Sequence, residues 1–347
     1  MRVALLALIV AALALAGCGE SAPITEPDLV VPGDGSVATS PPPESTPARG
    51  RGLRVASARI AVVSHGQASD PFWSIVKKGV DDAARATGVA VSYRAPDTYD
   101  IDRMRQYIDE SAAAHLDGLV VSLPDVDALA PAIRRAERSG IPVVSINSGS
   151  DRFRSLGVLA HVGQPEFKAG LAAGRRLAAA GVRSALCVNQ EVGNAGLAER
   201  CRGVTAALRR VGGRTRELGV DVQDATQARR RIAQAVNVGD IDGIITLGPG
   251  GAAPALEALR AAGATHDVRL ATFDLSPEVL DAVRDKRILF AVDQQPYLQG
   301  YLPIMLLAER ARHLLFPARG ELIPTGPQFV TPGNAARVIE LSRRGFR

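Results

Sequence analysis

Aromatic and carboxylate side chains stand together directly after the first predicted strand. The motif is Asp70-Pro71-Phe72-Trp73, and Trp73 is the only tryptophan of the chain. A carboxylate accepts hydrogen bonds from hydroxyl groups, and aromatic faces pack against the C–H faces of a sugar ring. Asp70 and Pro71 also suit a helix start, as N-cap and first-turn proline. The motif favours binding of a small polyhydroxyl ligand, and packing of one ring in the core is the alternative.

Further polar residues follow later predicted strands, at the end of a parallel sheet where ligands bind. They are Ser122, Asn147, Ser148, Asn194, Asp274, Gln294 and Gln295. A glycine-rich turn at 248–251 could cradle an anion or let the backbone approach another segment closely. These positions predict one polar cleft rather than scattered surface groups.

The sequence lacks the motifs that most enzymes on such sheets carry. It contains neither a glycine-rich dinucleotide or phosphate fingerprint nor a nucleophile elbow. The five histidines are isolated from one another, without metal-ligand spacing. His65 lies close to the predicted cleft, where a lone histidine is more often structural. We therefore predict a binding site with no catalytic residue, no metal and no cofactor.

The elements that position these residues begin near residue 59. Short β-branched runs, such as 60–63 and 118–122, alternate with stretches of helical periodicity, such as 72–86. Strands this apolar must be covered on both faces, as in a parallel sheet with helices on either side. The cycle repeats after residue 165. We predict an α/β protein of two doubly wound parallel-sheet lobes with a cleft between them.

The first eighteen residues have the features of an export signal. Arg2 precedes an apolar run over 3–16, which is too short to span a bilayer comfortably. The run ends in Leu-Ala-Gly-Cys at 15–18, which resembles a bacterial lipoprotein cleavage box. We expect residues 1–18 to form a lipoprotein signal peptide and Cys18 to carry the lipid. A plain signal peptide and an uncleaved anchor are the alternatives.

Residues 19–57 have the composition of a flexible tether. Seven prolines are mixed with serine, threonine, glycine and alanine, and no apolar periodicity is present. Such a segment suits a spacer between a lipid and a folded domain. We expect an extracytoplasmic protein that is lipid-anchored to the cell membrane.

The charge balance does not indicate a nucleic-acid partner. Lysine and arginine number 41 against 36 acidic residues, a formal net charge of +5. The arginines lie along helical stretches without the interleaved aromatic residues that base stacking needs. We interpret them as solvated helix faces.

Two cysteines remain once Cys18 is lipidated, namely Cys187 and Cys201. In an oxidising compartment an even pair suggests a disulfide. We predict that these two residues are bridged, and two buried free thiols are the alternative.

From about residue 59 to its end the chain resembles the type I periplasmic sugar-binding proteins, the ribose- and galactose-binding group that serves ABC importers. The motifs that carry the resemblance, in the expected order, are Asp70-Pro71-Phe72-Trp73, the strand 142–147, Gly193-Asn194 leading to Arg200, Phe273-Asp274 and Gln294-Gln295-Pro296. Ser148 and Gly248 depart from the ribose type, which has Arg and Asn at these positions. The departures argue against simple ribose as the ligand.

The resemblance implies a role for each matching residue. Asp70 and Asn147 would bond sugar hydroxyls, Phe72 and Trp73 would sandwich the ring, and Asn194 would make a variable polar contact. From the second lobe and the hinge, Arg200 would reach the ring oxygen, and Asp274 and Gln294 would add hydroxyl contacts. With the strand-end Ser122, the predicted ligand-binding set is Asp70, Phe72, Trp73, Ser122, Asn147, Asn194, Arg200, Asp274 and Gln294.

The resemblance also implies a three-strand hinge, with crossings between the lobes near 160, 295 and 322. The first lobe would hold 58–160 with 295–321, and the second 161–294 with 322–347. The helix over 297–315 would then belong to the first lobe.

We therefore expect a monomeric solute-binding lipoprotein that captures a sugar or polyol and delivers it to an ABC permease. A sensory protein that presents the same ligand to a membrane receptor is the alternative, since its binding chemistry is identical. An enzyme is disfavoured by the missing catalytic groups. A cytoplasmic sugar-responsive repressor is disfavoured because a signal and tether replace DNA-binding helices.

Overall fold

The computed structural model describes residues 57–66, 70–238 and 240–347. The expected signal peptide, Cys18 and the tether up to residue 56 lie outside these residues. Among the helices of the described ranges, none combines the length and apolarity needed to cross a membrane.

The first part of the described chain alternates strands with helices. Its elements are β1 (Arg59–Val63), α1 (Pro71–Thr87), β2 (Ala90–Arg94), α2 (Ile101–Ala113), β3 (Gly118–Ser122), α3 (Val126–Arg138), β4 (Val143–Ile146) and β5 (Ala160–Gly163). A short 3-10 helix, Phe153–Leu156, precedes β5. The helix expected over 72–86 is α1, which is one residue longer at each end.

The alternation then repeats. The elements are α4 (Glu166–Ala179), β6 (Ser184–Asn189), α5 (Ala195–Arg209), β7 (Arg214–Gly219), α6 (Ala225–Val238), β8 (Gly243–Thr246), α7 (Pro249–Ala261), β9 (Arg269–Phe273), α8 (Pro277–Arg284) and β10 (Ala291–Asp293). The chain ends with α9 (Pro296–His313), β11 (Glu321–Pro324), β12 (Gln328–Val330) and α10 (Ala335–Arg343).

The strands form two six-stranded sheets, one in each lobe. Their orders are β11-β5-β4-β3-β1-β2 and β12-β10-β9-β8-β6-β7. Every pairing is parallel except that of β12 with β10 at the edge of the second sheet. All five residues of β3 are buried, because helices cover both faces of its sheet. The prediction of two doubly wound parallel-sheet lobes is confirmed, with one antiparallel edge strand added.

The chain passes between the lobes three times, after β5, after β10 and between β11 and β12. The first crossing follows Gly163, three residues after the expected end of the first-lobe range at 160, because β5 pairs with both β4 and β11. The third lies between Pro324 and Gln328 rather than near 322, because β11 still belongs to the first sheet. Helix α9 packs on α1 and on the first sheet.

Helices α4 and α5 pack with their backbones in close contact. A Cβ on Gly170 would overlap the Arg200 carbonyl oxygen, and one on Gly203 would overlap the Phe167 carbonyl oxygen. Glycine at both positions permits this approach. It brings the first residue of α4, Glu166, against the side chain of Arg200 in α5.

Cys187 of β6 and Cys201 of α5 lie side by side in the core of the second lobe, with their sulfur atoms paired. Their Cα atoms are 6.0 Å apart, within the range that a disulfide spans. The fold therefore allows the predicted bridge.

Candidate functional site

A cleft of about 570 Å³ lies between the lobes, where the carboxyl ends of strands from both sheets face each other. Side chains from both lobes line it. Seven of the nine predicted ligand-binding residues are among them, namely Asp70, Phe72, Trp73, Asn147, Arg200, Asp274 and Gln294. The structure thus brings together residues that are up to 224 positions apart in the chain.

The first-lobe wall is the start of α1. Asp70 caps this helix, since its Oδ1 accepts from the backbone N–H of Phe72 at 2.8 Å and of Trp73 at 3.4 Å. The two rings meet edge to face with centroids 5.1 Å apart. The two rings are only 8% and 5% exposed. The rings belong to the first-lobe core and also line the cleft. The core-packing and ligand-binding interpretations of the motif are therefore compatible.

Trp73 is fixed by its neighbours. Its indole lies edge to face against the His65 imidazole, with centroids 4.8 Å apart, and covers the backbone of Gly66. A Cβ on Gly66 would overlap the indole nitrogen. The position of the ring is therefore set before any ligand arrives.

The second-lobe wall centres on Arg200. Its guanidinium forms a two-pronged ion pair with Glu166, with Nε 2.7 Å from Oε2 and Nη2 2.9 Å from Oε1. Nη1 donates to the Leu247 carbonyl at 2.9 Å and contacts Asp274 Oδ2 at 3.3 Å. The guanidinium also lies over the Phe273 ring, 4.7 Å from its centroid. These contacts hold Arg200 in a single orientation at the cleft.

Asp274 faces Arg200 from the end of β9. Burial raises the pKa of this carboxyl to about 6, and the Arg200 guanidinium and the Gln294 amide only partly offset that effect. Neutral pH keeps most of the group ionised, as an acceptor for donors in the cleft. Protonation begins within about one pH unit below neutrality.

A cluster of amides joins the lobes beside the hinge. Gln294 donates to Asp274 Oδ1 at 2.8 Å, and its Oε1 accepts from Asn147 at 3.3 Å and from Gln299 at 2.8 Å. Asn147 and Asp274 both have left-handed backbones, with φ of 63° and 62°. Asn and Asp tolerate this conformation better than other non-glycine residues, and it aims both side chains at the crossing point.

Ser122 and Asn194 do not line the cleft; both contact His65, which does line it. Ser122 Oγ lies 2.8 Å from His65 Nδ1 and accepts the His65 backbone N–H at 3.0 Å. Asn194 Oδ1 accepts from Ser148 at 3.1 Å, and its amide lies 3.4 Å from His65 Nε2. Burial lowers the pKa of His65, which keeps the imidazole neutral. The structural interpretation of His65 fits this network.

The lobes also touch directly. The backbone N–H of Ala195 at the start of α5 donates to the Pro124 carbonyl of the first lobe at 2.9 Å. The Ser148–Asn194 hydrogen bond lies beside this contact. Ser148, which stands where the ribose type has arginine, therefore contacts the second lobe and does not line the cleft.

Several residues of the site escaped the sequence analysis. Glu166 is the acidic residue in the first turn of α4, and only the α4–α5 contact shows its role. Gln190 fills the space beside Gly248, and its buried Oε1 has no partner among the described residues. Tyr99 and Glu191 complete the outer rim. The signal that could have found Glu166 is the pair of glycines four residues apart in α4, which indicates close helix packing.

Comparison with known proteins places this cleft in context. A family model described as a periplasmic binding protein domain matches residues 60–313. The fold is similar to that of a carbohydrate transporter from Acidothermus cellulolyticus 11B, solved in complex with myo-inositol. That protein is 35% identical, with a TM-score of 0.79 over 84% of this chain and 100% of that one.

Two more distant relatives have similar sequences or folds. The xylose/arabinose-binding protein of Sulfolobus acidocaldarius is 24% identical over 305 residues, or 82% of this chain and 74% of that protein. GanP, a glucose-galactose binding protein from Geobacillus stearothermophilus, is 22% identical, with a TM-score of 0.71 over 80% of this chain and 98% of that one.

Proposed function

The chain belongs to the periplasmic binding protein family, a family of solute-binding proteins and not of enzymes, and from that premise we propose that it captures an uncharged sugar or cyclitol between its lobes. The observation that carries the proposal is the composition of the cleft. Asp70 and Trp73 of the first lobe line the same cavity as Arg200 and Asp274 of the second. A ring with several hydroxyls can pack its C–H face on an aromatic side chain while its hydroxyls bond the charged groups.

The charges of the cleft favour a ligand without a negative charge. Four carboxylates line it, those of Asp70, Glu191, Asp221 and Asp274. Among the described lining residues only Arg200 is cationic, and its charge is already matched by Glu166. A sugar acid or a sugar phosphate would meet net repulsion on closure. The relative that binds myo-inositol makes a cyclitol the first ligand to test.

A ligand panel tests this proposal. The panel holds myo-inositol, xylose, arabinose, glucose and galactose, with glucuronate as the anionic member. Because Trp73 is the only tryptophan, its emission reports directly on the cleft. We expect at least one neutral member to change the emission and raise the melting temperature, and glucuronate to do neither. If no member changes either signal, the sugar or cyclitol proposal is wrong.

A matched pair of variants locates the binding. Arg200→Lys removes the two-pronged ion pair with Glu166 that orients this side chain at the cleft, whereas Arg202→Lys alters an exposed arginine two residues away on α5. We expect the first to weaken binding at least tenfold, which is about 1.4 kcal/mol. The second should leave binding unchanged. Equal affinities for the two variants would show that Arg200 does not contribute to ligand binding.

We further propose that Cys18 anchors the protein in the cell membrane and that the loaded protein serves an ABC importer. Metabolic labelling with radioactive palmitate should mark the wild type but not Cys18→Ser, which should appear in the soluble fraction. Loss of the protein should abolish uptake of the ligand that the panel identifies. Normal uptake combined with a lost transcriptional response would instead support the sensory function.

A further inference from the structure

The segment after α10, residues 344–347, crosses from the second lobe to the hinge. Helix α10 packs on α8 of the second lobe. Gly345 follows the C-cap Arg344 and has a φ of +74°, and the N–H groups of Gly345 and Phe346 donate to the carbonyls of Ser342 and Leu341. These two bonds form a Schellman motif, which turns the chain sharply at the helix end. The turn directs Phe346 toward the first lobe and Arg347 toward the end of β10 at the hinge.

Phe346 packs on helices of the first lobe. Its ring meets Tyr297 of α9 edge to face, with centroids 5.1 Å apart. The Lys78 ammonium of α1 lies 5.1 Å from the centroid of the Phe346 ring and 5.6 Å from that of Tyr297. Lys78 and the Tyr297 hydroxyl both donate to Asp82, at 2.6 Å and 3.1 Å. A second-lobe segment is thus seated on an ordered first-lobe surface.

Arg347 reaches the hinge itself. Its guanidinium forms an ion pair with Asp293, whose side chain is 1% exposed, at the end of β10. The other oxygen of Asp293 accepts the Gln295 backbone N–H at 2.7 Å. Gln294 lies between these two residues and carries the amide that bonds Asp274 and Asn147 in the cleft. Arg347 therefore binds Asp293, the residue directly before Gln294, and the Gln294 side chain joins the two lobes.

We propose that residues 344–347 form a clasp that favours the arrangement in which the lobes touch, and that Arg347 is a positioning residue for Gln294. The clasp adds a contact between the lobes that none of the three crossings supplies. It lies away from the lining of the cleft, so it acts on the balance between open and closed lobes and not on ligand contacts. The inference does not depend on which ligand the cleft takes, because the balance exists without ligand.

Spin labels on the two lobes measure this balance directly. Exposed Arg138 of α3 and Arg230 of α6 offer sites for Arg138→Cys and Arg230→Cys, and pulsed electron paramagnetic resonance gives their distance distribution without ligand. Arg347→Gln and Phe346→Ala remove the two halves of the clasp. Arg343→Gln removes one charge from exposed α10 and is the matched control. Arg347→Lys keeps the charge at the hinge.

We expect Arg347→Gln and Phe346→Ala each to raise the ratio of open to closed lobes about fivefold, as the loss of one partly exposed contact allows. Arg343→Gln should match the wild type, and Arg347→Lys should recover most of the closed population. Distributions for Arg347→Gln and Phe346→Ala equal to that of Arg343→Gln would overturn the proposal. A lower melting temperature with an unchanged distribution would also overturn it, since that is the result of a purely structural contact.

Discussion

The guanidinium of Arg200 and the carboxylate of Glu166 form a two-pronged ion pair inside the second lobe, with side chains only 3% and 1% exposed. Asp274 approaches the same guanidinium from the cleft side at 3.3 Å. Arg200 therefore contacts one carboxylate inside the second lobe, that of Glu166, and one that lines the cleft, that of Asp274. A cation held in this way has a fixed orientation at the cleft and adds little net charge there.

Glu166→Gln should destabilise the protein, because it leaves Arg200 with one carboxylate in place of two. Removing one partner of a buried ion pair costs about 3–5 kcal/mol, and the remaining Asp274 places this variant at the lower end. Urea unfolding of the wild type and the variant gives the free-energy difference. Glu321→Gln is the control, since Glu321 pairs with Arg154 on the surface and should cost less than about 1 kcal/mol. Similar losses for the two variants would contradict the structural role of Glu166.

The fold was predictable because its signals are local. The alternation of strands with helices, the apolar spacing and the strand-end positions all act within short segments. Six of the seven predicted residues that line the cleft follow predicted strands, whereas Arg200 was implied only by the resemblance to the sugar-binding family. Glu166 was not predictable in the same way. Its partner lies 34 positions away, and the pairing depends on the close approach of α4 and α5 at Gly170 and Gly203. Long-range contacts of this kind leave only indirect signs in the sequence, such as the two glycines four residues apart in α4.

Two residues of the predicted ligand-binding set do not line the cleft, for a related reason. Ser122 and Asn194 follow strands as ligand-binding residues do, but their polar atoms are already bonded to His65 and Ser148. A strand-end position indicates only that a side chain is near the cleft. Whether it faces the ligand depends on which neighbour it bonds, and that neighbour often comes from a distant segment.

Asp274 should make stability depend on pH between about 4 and 6. Burial raises its pKa from the ordinary value of 3.8 to about 6 in the folded protein, so between these pH values the folded state holds a proton that the unfolded state has lost. Its contribution is therefore greatest below pH 4 and is lost as the pH rises to 6, by roughly 3 kcal/mol. We expect the stability of the wild type relative to Asp274→Asn to fall over this range. Parallel pH profiles from urea unfolding would show that Asp274 has an ordinary pKa.

The predicted bridge joins Cys187 and Cys201, which are 14 positions apart in the sequence, and so closes a short loop. Such a loop should stabilise the fold by about 3 kcal/mol on the chain-entropy model. Mass spectrometry of a digest made without reductant should find the two cysteine peptides linked. Reductant should lower the stability of the wild type by about this amount and leave the double variant Cys187→Ser with Cys201→Ser unchanged. Alkylation of both thiols before reduction would show that they are free.

Gly66→Ala should disturb the aromatic wall without altering any polar group of the cleft. The new methyl group would overlap the indole nitrogen of Trp73, so the ring or the backbone of residue 66 must move. Overpacking of this kind costs about 1–3 kcal/mol. Displacing the indole should also shift its emission and weaken binding of the ligand that the panel identifies.

Gly333→Ala is the matched control for that variant. Gly333 is exposed, and the nearest atom to a Cβ there is Thr331 Oγ1 at 3.8 Å, an ordinary contact distance. This variant should keep the emission, stability and affinity of the wild type. The deciding measurement is the Trp73 emission spectrum without ligand, because it reports the ring position independently of binding. A Gly66→Ala spectrum identical to that of Gly333→Ala, with equal unfolding midpoints, would show that Trp73 does not pack on Gly66.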